Sequence, residues 1–259
     1  MQTRVADDAQ ARRDVSRAAD MLSLPAALGV YDRAPSAVLR ADMWRLAVVW
    51  LEGGIYADSD VEPRPRLRAL LEAAAAMPLD ASSGDGVQRP GLLLFVENWS
   101  FIPTLLGKLA IAVGLSDFAR FPQYRNCIFA AAAPAHPLLE SAFRLATARL
   151  EDEERAGRAE PPSDSRVLEL TGPGLLTDAT NSFLALHGAA DIAFVDRGSG
   201  MAFFIHAGVG SWKSGAVKSG YTERKLVLLA GAGLALCAAA CVLSPARGSH
   251  RSKGPHSME

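Results

Sequence analysis

The sequence predicts an α/β layered domain over about residues 1–212. Three observations carry that prediction. Short apolar strand candidates interleave with helical stretches, Gly and Pro punctuate most junctions, and the composition is that of a folding chain. Hydrophobic residues make up 49% of the 259 and charged residues 21%, which excludes wholesale disorder. The formal net charge is -1, so the chain has no global pull on nucleic acid, and no nucleic-acid partner is expected. The three cysteines are Cys127, Cys237 and Cys241. They cannot all pair and have no CxxC spacing, which argues against a disulfide scaffold or a Cys-based structural metal site.

Each element follows in order. Residues 5–24 read as a surface helix limited by Pro25, and Tyr31 to Pro35 reads as a turn. Ser36 is a candidate cap for a helix over Val38–Leu51, whose apolar residues recur near every 3.6 positions. Gly53 or Gly54 supplies the left-handed residue that ends it. Ile55–Ala57 enters a short strand, and Val61 continues until Pro63 and Pro65. A helix is expected over Leu67–Met77, a loop over 80–90 and a strand over Leu92–Val96. Residues 101–115 suggest a buried or surface-lying helix. An apolar piece over Asn126–Ala133 precedes a helix over Leu138–Leu150, and 151–165 reads as an exposed loop or helix end. A helix over Leu175–Leu186 is followed by strands over Asp191–Val195 and Met201–Ile205.

The run Leu226–Leu243, LVLLAGAGLALCAAACVL, carries no charge over 18 residues. As a helix it is about 27 Å long, near the thickness of a bilayer core. It is expected to span a membrane, with 244–259 as a polar tail. A buried C-terminal helix is the alternative. Basic residues flank both ends, so no orientation is predicted. No apolar signal segment follows Met1. Either the N-terminus opens no secretory route, or the chain as given lacks its true beginning.

The sharpest chemical feature is Glu52-Gly53-Gly54-Ile55-Tyr56-Ala57-Asp58-Ser59-Asp60. Two carboxylates two residues apart reach one centre only where the strand ends. Hard oxygen ligands of this kind suit Mg²⁺ or Mn²⁺, and such an ion reverses the local charge toward a diphosphate. An Asp-rich capping turn is the plainer reading. Asp42 and Arg45 lie three apart on the preceding helix and either form a surface pair or line a polar pocket.

The strings Arg40-Ala41-Asp42-Met43-Trp44-Arg45 and Leu51-Glu52-Gly53-Gly54-Ile55-Tyr56-Ala57-Asp58-Ser59-Asp60-Val61 resemble the signature of the family 32 glycosyltransferases, whose sugar-binding region contains a DxD motif. That family includes mannosyltransferases that initiate α-1,6 chains or act on inositol-phosphoceramide. Further pieces agree in order over roughly residues 4–213. Asn126 with Ala133-Pro134-Ala135-His136-Pro137 resembles one segment, Thr171-Gly172-Pro173 another, and His206 with Gly210-Ser211-Trp212 a third.

The resemblance implies a GT-A-like nucleotide-sugar domain over 1–213. It implies a retaining hexosyl transfer, mannose favoured, from GDP-mannose or a UDP-hexose to a lipid or glycan hydroxyl. A divalent cation is implied, Mn²⁺ favoured over Mg²⁺, in a Golgi or other endomembrane setting. Asp42, Arg45, Asp58 and Asp60 would form the catalytic set. Asp42 and Arg45 would grip the donor sugar, and Asp58 the ribose side or the ion. Asp60 would be the principal metal carboxylate and His206 a candidate ligand. Ser211 and Trp212 would close over the diphosphate, and Asn98 and Asn126 would contact donor or acceptor. His136 is expected to hold its loop rather than act chemically. The family's usual first strand has no counterpart here, so the domain is expected to lack it and to leave an open edge. Two other functions stay open: a catalytically impaired, membrane-anchored homologue acting as a partner subunit, and a metal-dependent phosphotransferase or hydrolase using Asp58 and Asp60.

Overall fold

The computed structural model describes residues 3–67, 69, 91–97, 120–158, 162–189, 191–196 and 202–206. The chain divides into a compact unit Met1–Trp212 and a second unit Lys213–Glu259, and all described residues lie in the first. Asn98, Ser211, Trp212, the expected span over 226–243, the loop over 80–90, the helix over 101–115 and most of the helix over Leu67–Met77 lie outside the described residues. Among the described residues no helix is long and apolar enough to cross a membrane.

The elements run α1 (Asp8–Met21), α2 (Ala26–Arg33), α3 (Ala37–Glu52), β1 (Gly54–Ala57), β2 (Val61–Pro63), β3 (Leu92–Val96), β4 (Tyr124–Ala131), α4 (Pro137–Arg155), α5 (Asp164–Leu170), α6 (Pro173–His187), β5 (Ile192–Val195) and β6 (Phe204–His206). The mixed α/β class expected from sequence is what the chain forms. Two elements differ from the reading above. The turn placed at Tyr31–Pro35 is mostly helix, because Pro25 caps the start of α2 rather than closing a loop, and α2 stops at Arg33, with Ala34 before Pro35 already extended. The span 151–165, read as an exposed loop or helix end, is a helix end up to Arg155, and it differs only in that α5 begins at Asp164 behind the Ser163 cap.

The main sheet has the order β1-β4-β3-β5, and β2 pairs with β6 as a separate ribbon. β4 is antiparallel to both β1 and β3, while β5 runs parallel to β3. β1 is thus an edge strand of the described sheet. Along β3, Leu92, Leu94 and Val96 join one buried cluster and Phe95 joins the other, the alternation of a strand covered on both faces. The larger cluster lies against the helices and includes Met43, Leu46, Leu139 and Phe143. The smaller one gathers Val61, Phe95, Cys127, Ile128 and Phe204 beneath the ribbon.

Two local features aim the chain at the DxD turn. Gly53 ends α3 with φ 67° and ψ -157°, and Gly54 follows at φ 82°. That backbone region is essentially reserved for glycine, so the Gly-Gly pair is what lets a helix turn directly into β1. The second is an irregularity in β4. Leu94 faces Phe129, yet Val96 faces Tyr124, so Arg125–Ile128 bulge out opposite Phe95. A bulge re-aims side chains, and here it carries Asn126 toward α3.

Candidate functional site

β1 carries the chain to Asp58, whose N–H donates to the Cys127 carbonyl at 2.9 Å. There the ladder stops. The Val61 N–H donates back to the Asp58 carbonyl at 2.9 Å, closing a turn over Asp58–Val61. β2 then begins at Val61, directly opposite His206 on β6. The turn therefore points its two carboxylates in different directions.

Asp58 faces α3. Its Oδ1 accepts from the Tyr56 hydroxyl at 2.5 Å and lies 3.2 Å from Arg45 Nη2. Arg45 Nη2 also meets Asp42 Oδ1 at 2.9 Å, and Arg45 Nη1 donates to the Asn126 carbonyl at 2.8 Å. The guanidinium lies over the Tyr56 ring, 4.8 Å from its centroid, a cation–π contact. Asp42 is engaged on both oxygens. The Asn126 side-chain amide donates to Oδ1 at 3.2 Å and the Thr171 hydroxyl to Oδ2 at 2.7 Å.

Asp42 and Arg45 are 2% and 5% exposed. The pocket reading placed both against a donor sugar, but here their polar atoms mostly serve one another, Asn126, Thr171 and Asp58. Of the polar atoms of this pair, Arg45 Nε is the one buried without a partner among the described residues. Burial pushes the Asp42 carboxyl up, against the pull of Arg45 and the Thr171 hydroxyl. Burial also opposes the charge on Arg45, but Asp42, Tyr56 and Asp58 outweigh it and hold the guanidinium protonated. Burial likewise raises Tyr56, so its phenol stays a donor to Asp58.

Asp60 faces the ribbon, with its Oδ1 3.4 Å from His206 Nε2. Both side chains are partly exposed at the rim. Among the described residues no three His, Cys, Asp or Glu side chains stand close enough together to cage an ion. Asp60 and His206 offer a carboxylate and an imidazole side by side at the rim, and Asp58 stands two residues away on the same turn. Carboxylate oxygens and an imidazole are chemically suited to a hard divalent ion. Such ions commonly take one or two protein carboxylates and complete their shell with substrate phosphates. The residues present fit the cation that a DxD motif implies.

Sequence reasoning named Asp42, Arg45, Asp58, Asp60, Asn126 and His206, and the fold gathers all six around the end of β1. His136 holds its loop as expected. Its Nδ1 accepts from Leu138 N–H at the start of α4, and its Nε2 lies 3.2 Å from Asp191 Oδ2. Sequence reasoning missed Tyr56 as the partner of Asp58 and Thr171 as the partner of Asp42. Thr171 is 129 residues from Asp42, a separation at which no local pattern signals contact.

Residues 3–76 match the family described as "Glycosyltransferase sugar-binding region containing DXD motif". The chain is also similar to the initiation-specific alpha-1,6-mannosyltransferase of Schizosaccharomyces pombe (strain 972 / ATCC 24843), at 27% identity over 195 residues. That alignment covers 70% of this chain and 40% of the relative, so the chain spans less than half the length of the curated relative it matches. No solved structure matches. The matched segment contains the helix of Asp42 and Arg45, the Gly-Gly turn and both DxD carboxylates, so what residues 3–76 share with the sugar-binding region of the DXD-containing glycosyltransferases is the set of elements that builds this site.

Proposed function

We propose that the chain transfers a hexose, mannose first among the candidates, from a nucleotide-sugar to a hydroxyl of a glycan or lipid. The observation that carries the reading is the DxD turn itself. Asp58 is braced from behind by Arg45 and Tyr56, and Asp60 stands at the rim beside His206. The family match over residues 3–76 supports glycosyl transfer. The similarity to an alpha-1,6-mannosyltransferase supports mannose over other hexoses, and the choice of GDP-mannose over UDP-hexoses rests on the family resemblance. Mn²⁺, a Golgi or endomembrane site and a membrane-borne lipid acceptor complete the proposal. They rest on the family resemblance and on the apolar run over 226–243.

In this reading Asp58, Asp60 and His206 hold the divalent cation. When bound, that cation supplies charge neutralisation to the departing diphosphate. Only Oδ1 of Asp58 is engaged by Tyr56 and Arg45, so these two fix the rotamer and leave Oδ2 as the ligand atom. Buried Asp42 fixes Arg45 in turn, a support shell of the kind that keeps a binding carboxylate within tolerance. The acceptor oxygen bonds to the sugar's C1 as the C1–phosphate oxygen bond breaks. The acceptor's proton passes to the departing phosphate, and attack from the leaving-group face retains the anomeric configuration. No side chain among the described residues is assigned as general base.

A second reading, a non-catalytic partner subunit, is favoured by one observation. Asp42 and Arg45 are consumed within the protein instead of open to a sugar. One experiment separates the two. The full chain is assayed with Mn²⁺ against GDP- and UDP-sugars, beside Asp58→Ala and Asp60→Ala. Metal-dependent turnover of one donor, reduced at least about a hundredfold in both variants, supports the transferase. Folded protein that turns over no donor and binds neither GDP nor UDP sinks it and leaves the partner subunit.

A further inference from the structure

The bulge in β4 presents a second basic side chain that the site above does not use. Asn126 turns toward Asp42 on α3, whereas its neighbour Arg125 lies over Phe204, with its guanidinium carbon 5.5 Å from the ring centroid. Phe204 and His206 are two apart on β6, so their side chains share one face of the ribbon. His206 on that face meets Asp60. Arg125 therefore stands on the ribbon side of the DxD turn, opposite the face occupied by Arg45.

Its surroundings set it apart from the other half-buried and buried arginines. Arg45 is committed to Asp42, Asp58 and the Asn126 carbonyl. Arg120 is committed to Glu169 and Asp178, Arg149 to Asp178, and Arg40 to the Ala34 carbonyl beside its own helix. Among the described residues no carboxylate pairs with Arg125, and its described partner is an aromatic face. A guanidinium seated on a ring keeps its N–H fork free, and that fork matches phosphate geometry. The need for such a group follows from charge. Asp58 and Asp60 present two carboxylates on one turn, so a diphosphate approaching them meets repulsion that a single divalent ion only partly offsets.

We propose that Arg125 is a phosphate-binding residue of this site, its guanidinium engaging the diphosphate of a nucleotide held at the DxD turn. The proposal rests on the nucleotide-sugar reading above and adds to it the side chain that receives the leaving phosphate's charge. The ring of Phe204 seats the guanidinium, on the strand that also carries His206.

The test is calorimetric titration of the full chain in Mn²⁺ with GDP and guanosine, and in parallel with UDP and uridine. The parent is compared with Arg125→Gln and Arg125→Lys. The expected result is a loss of about ten- to a hundredfold in diphosphate affinity in Arg125→Gln, with nucleoside affinity unchanged. Arg125→Lys is expected to recover part of the loss. Where Arg125→Gln melts early, the ratio of diphosphate to nucleoside affinity in Arg125→Lys is decisive. A fall supports the proposal and an unchanged ratio overturns it. Parent protein that binds a diphosphate as tightly as Arg125→Gln does overturns the proposal and leaves the nucleotide-sugar reading standing. Parent protein that binds neither diphosphate overturns both.

Discussion

At the scale of single residues, one buried threonine ties the candidate site together. The Thr171 hydroxyl donates to Asp42 Oδ2 at 2.7 Å, and both residues are 2% exposed. Asp42 then meets Arg45, which reaches Asp58. Replacing Thr171 by valine keeps the shape but leaves a buried carboxylate oxygen without its donor, a loss of about 1–3 kcal/mol. Thr171→Val should therefore lower the urea midpoint and, if Asp42 positions Asp58 as described, weaken Mn²⁺-dependent nucleotide binding as well. An unchanged midpoint would show that water replaces the hydroxyl. Asp58 and Asp60 were legible in the sequence as a pair. Their division of labour was not, because the turn that sends one to α3 and the other to β6 depends on a register between strands about 145 residues apart in sequence, Val61 opposite His206.

At the scale of elements, the junction between α3 and β1 decides whether the DxD turn is correctly aimed. A Cβ on Gly53 would sit 3.0 Å from the Ala133 carbonyl carbon and 3.2 Å from the Pro134 nitrogen, both backbone atoms that cannot rotate away. Its φ of 67° adds strain for any L side chain. Gly53→Ala is expected to cost about 1–3 kcal/mol and to shift the turn relative to His206. Gly54→Ala, at φ 82° but with nothing within 4 Å of the added Cβ, should cost less. Equal midpoints for the two variants in urea would remove the steric part of the argument. The Gly-Gly signal was readable from sequence, as were α3 and β3, whose apolar patterns are local. α2 was not, because Pro25 serves equally as a stop after α1 and as a start for α2. Only the packing of Val30 and Tyr31 into the core selects the second.

At the scale of the whole molecule, charge pairing fastens the end of α4 to α5. Glu153 on α4 accepts from Arg158 at 2.8 Å and pairs with Arg166 on α5. Hydrogen bonds from Arg158 and then Arg166 hold its carboxyl down at about 2, against an ordinary value of 4.5. A carboxylate depressed in the fold stabilises fully above its unfolded pKa and loses that contribution as pH falls through the folded one. Stability should therefore decline between about pH 4.5 and pH 2 through this group. Glu153→Gln, which cannot titrate, should show a shallower decline in acid melts while being less stable at pH 7. His136 acts earlier. Burial lowers its pKa from 6.5, outweighing the pull of Asp191, so the fold favours the neutral ring and loses stability as pH falls below about 6.5. Parallel acid profiles for the parent and Glu153→Gln would contradict the assignment to α4 and α5.

Local sequence settles the class of the domain, the helix that presents Asp42 and Arg45, the glycine pair and the DxD turn. Each is set by residues within about a dozen positions, where periodicity, caps and allowed φ leave few choices. The tertiary structure alone decided that Asp42 and Arg45 lie inside the protein, that Thr171 and Asn126 satisfy them, and that Arg125 shares the ribbon face with His206. Those outcomes depend on which strands pair, in which register and with what bulge. A one-residue change in any of these would turn the same side chains to the other face of the sheet.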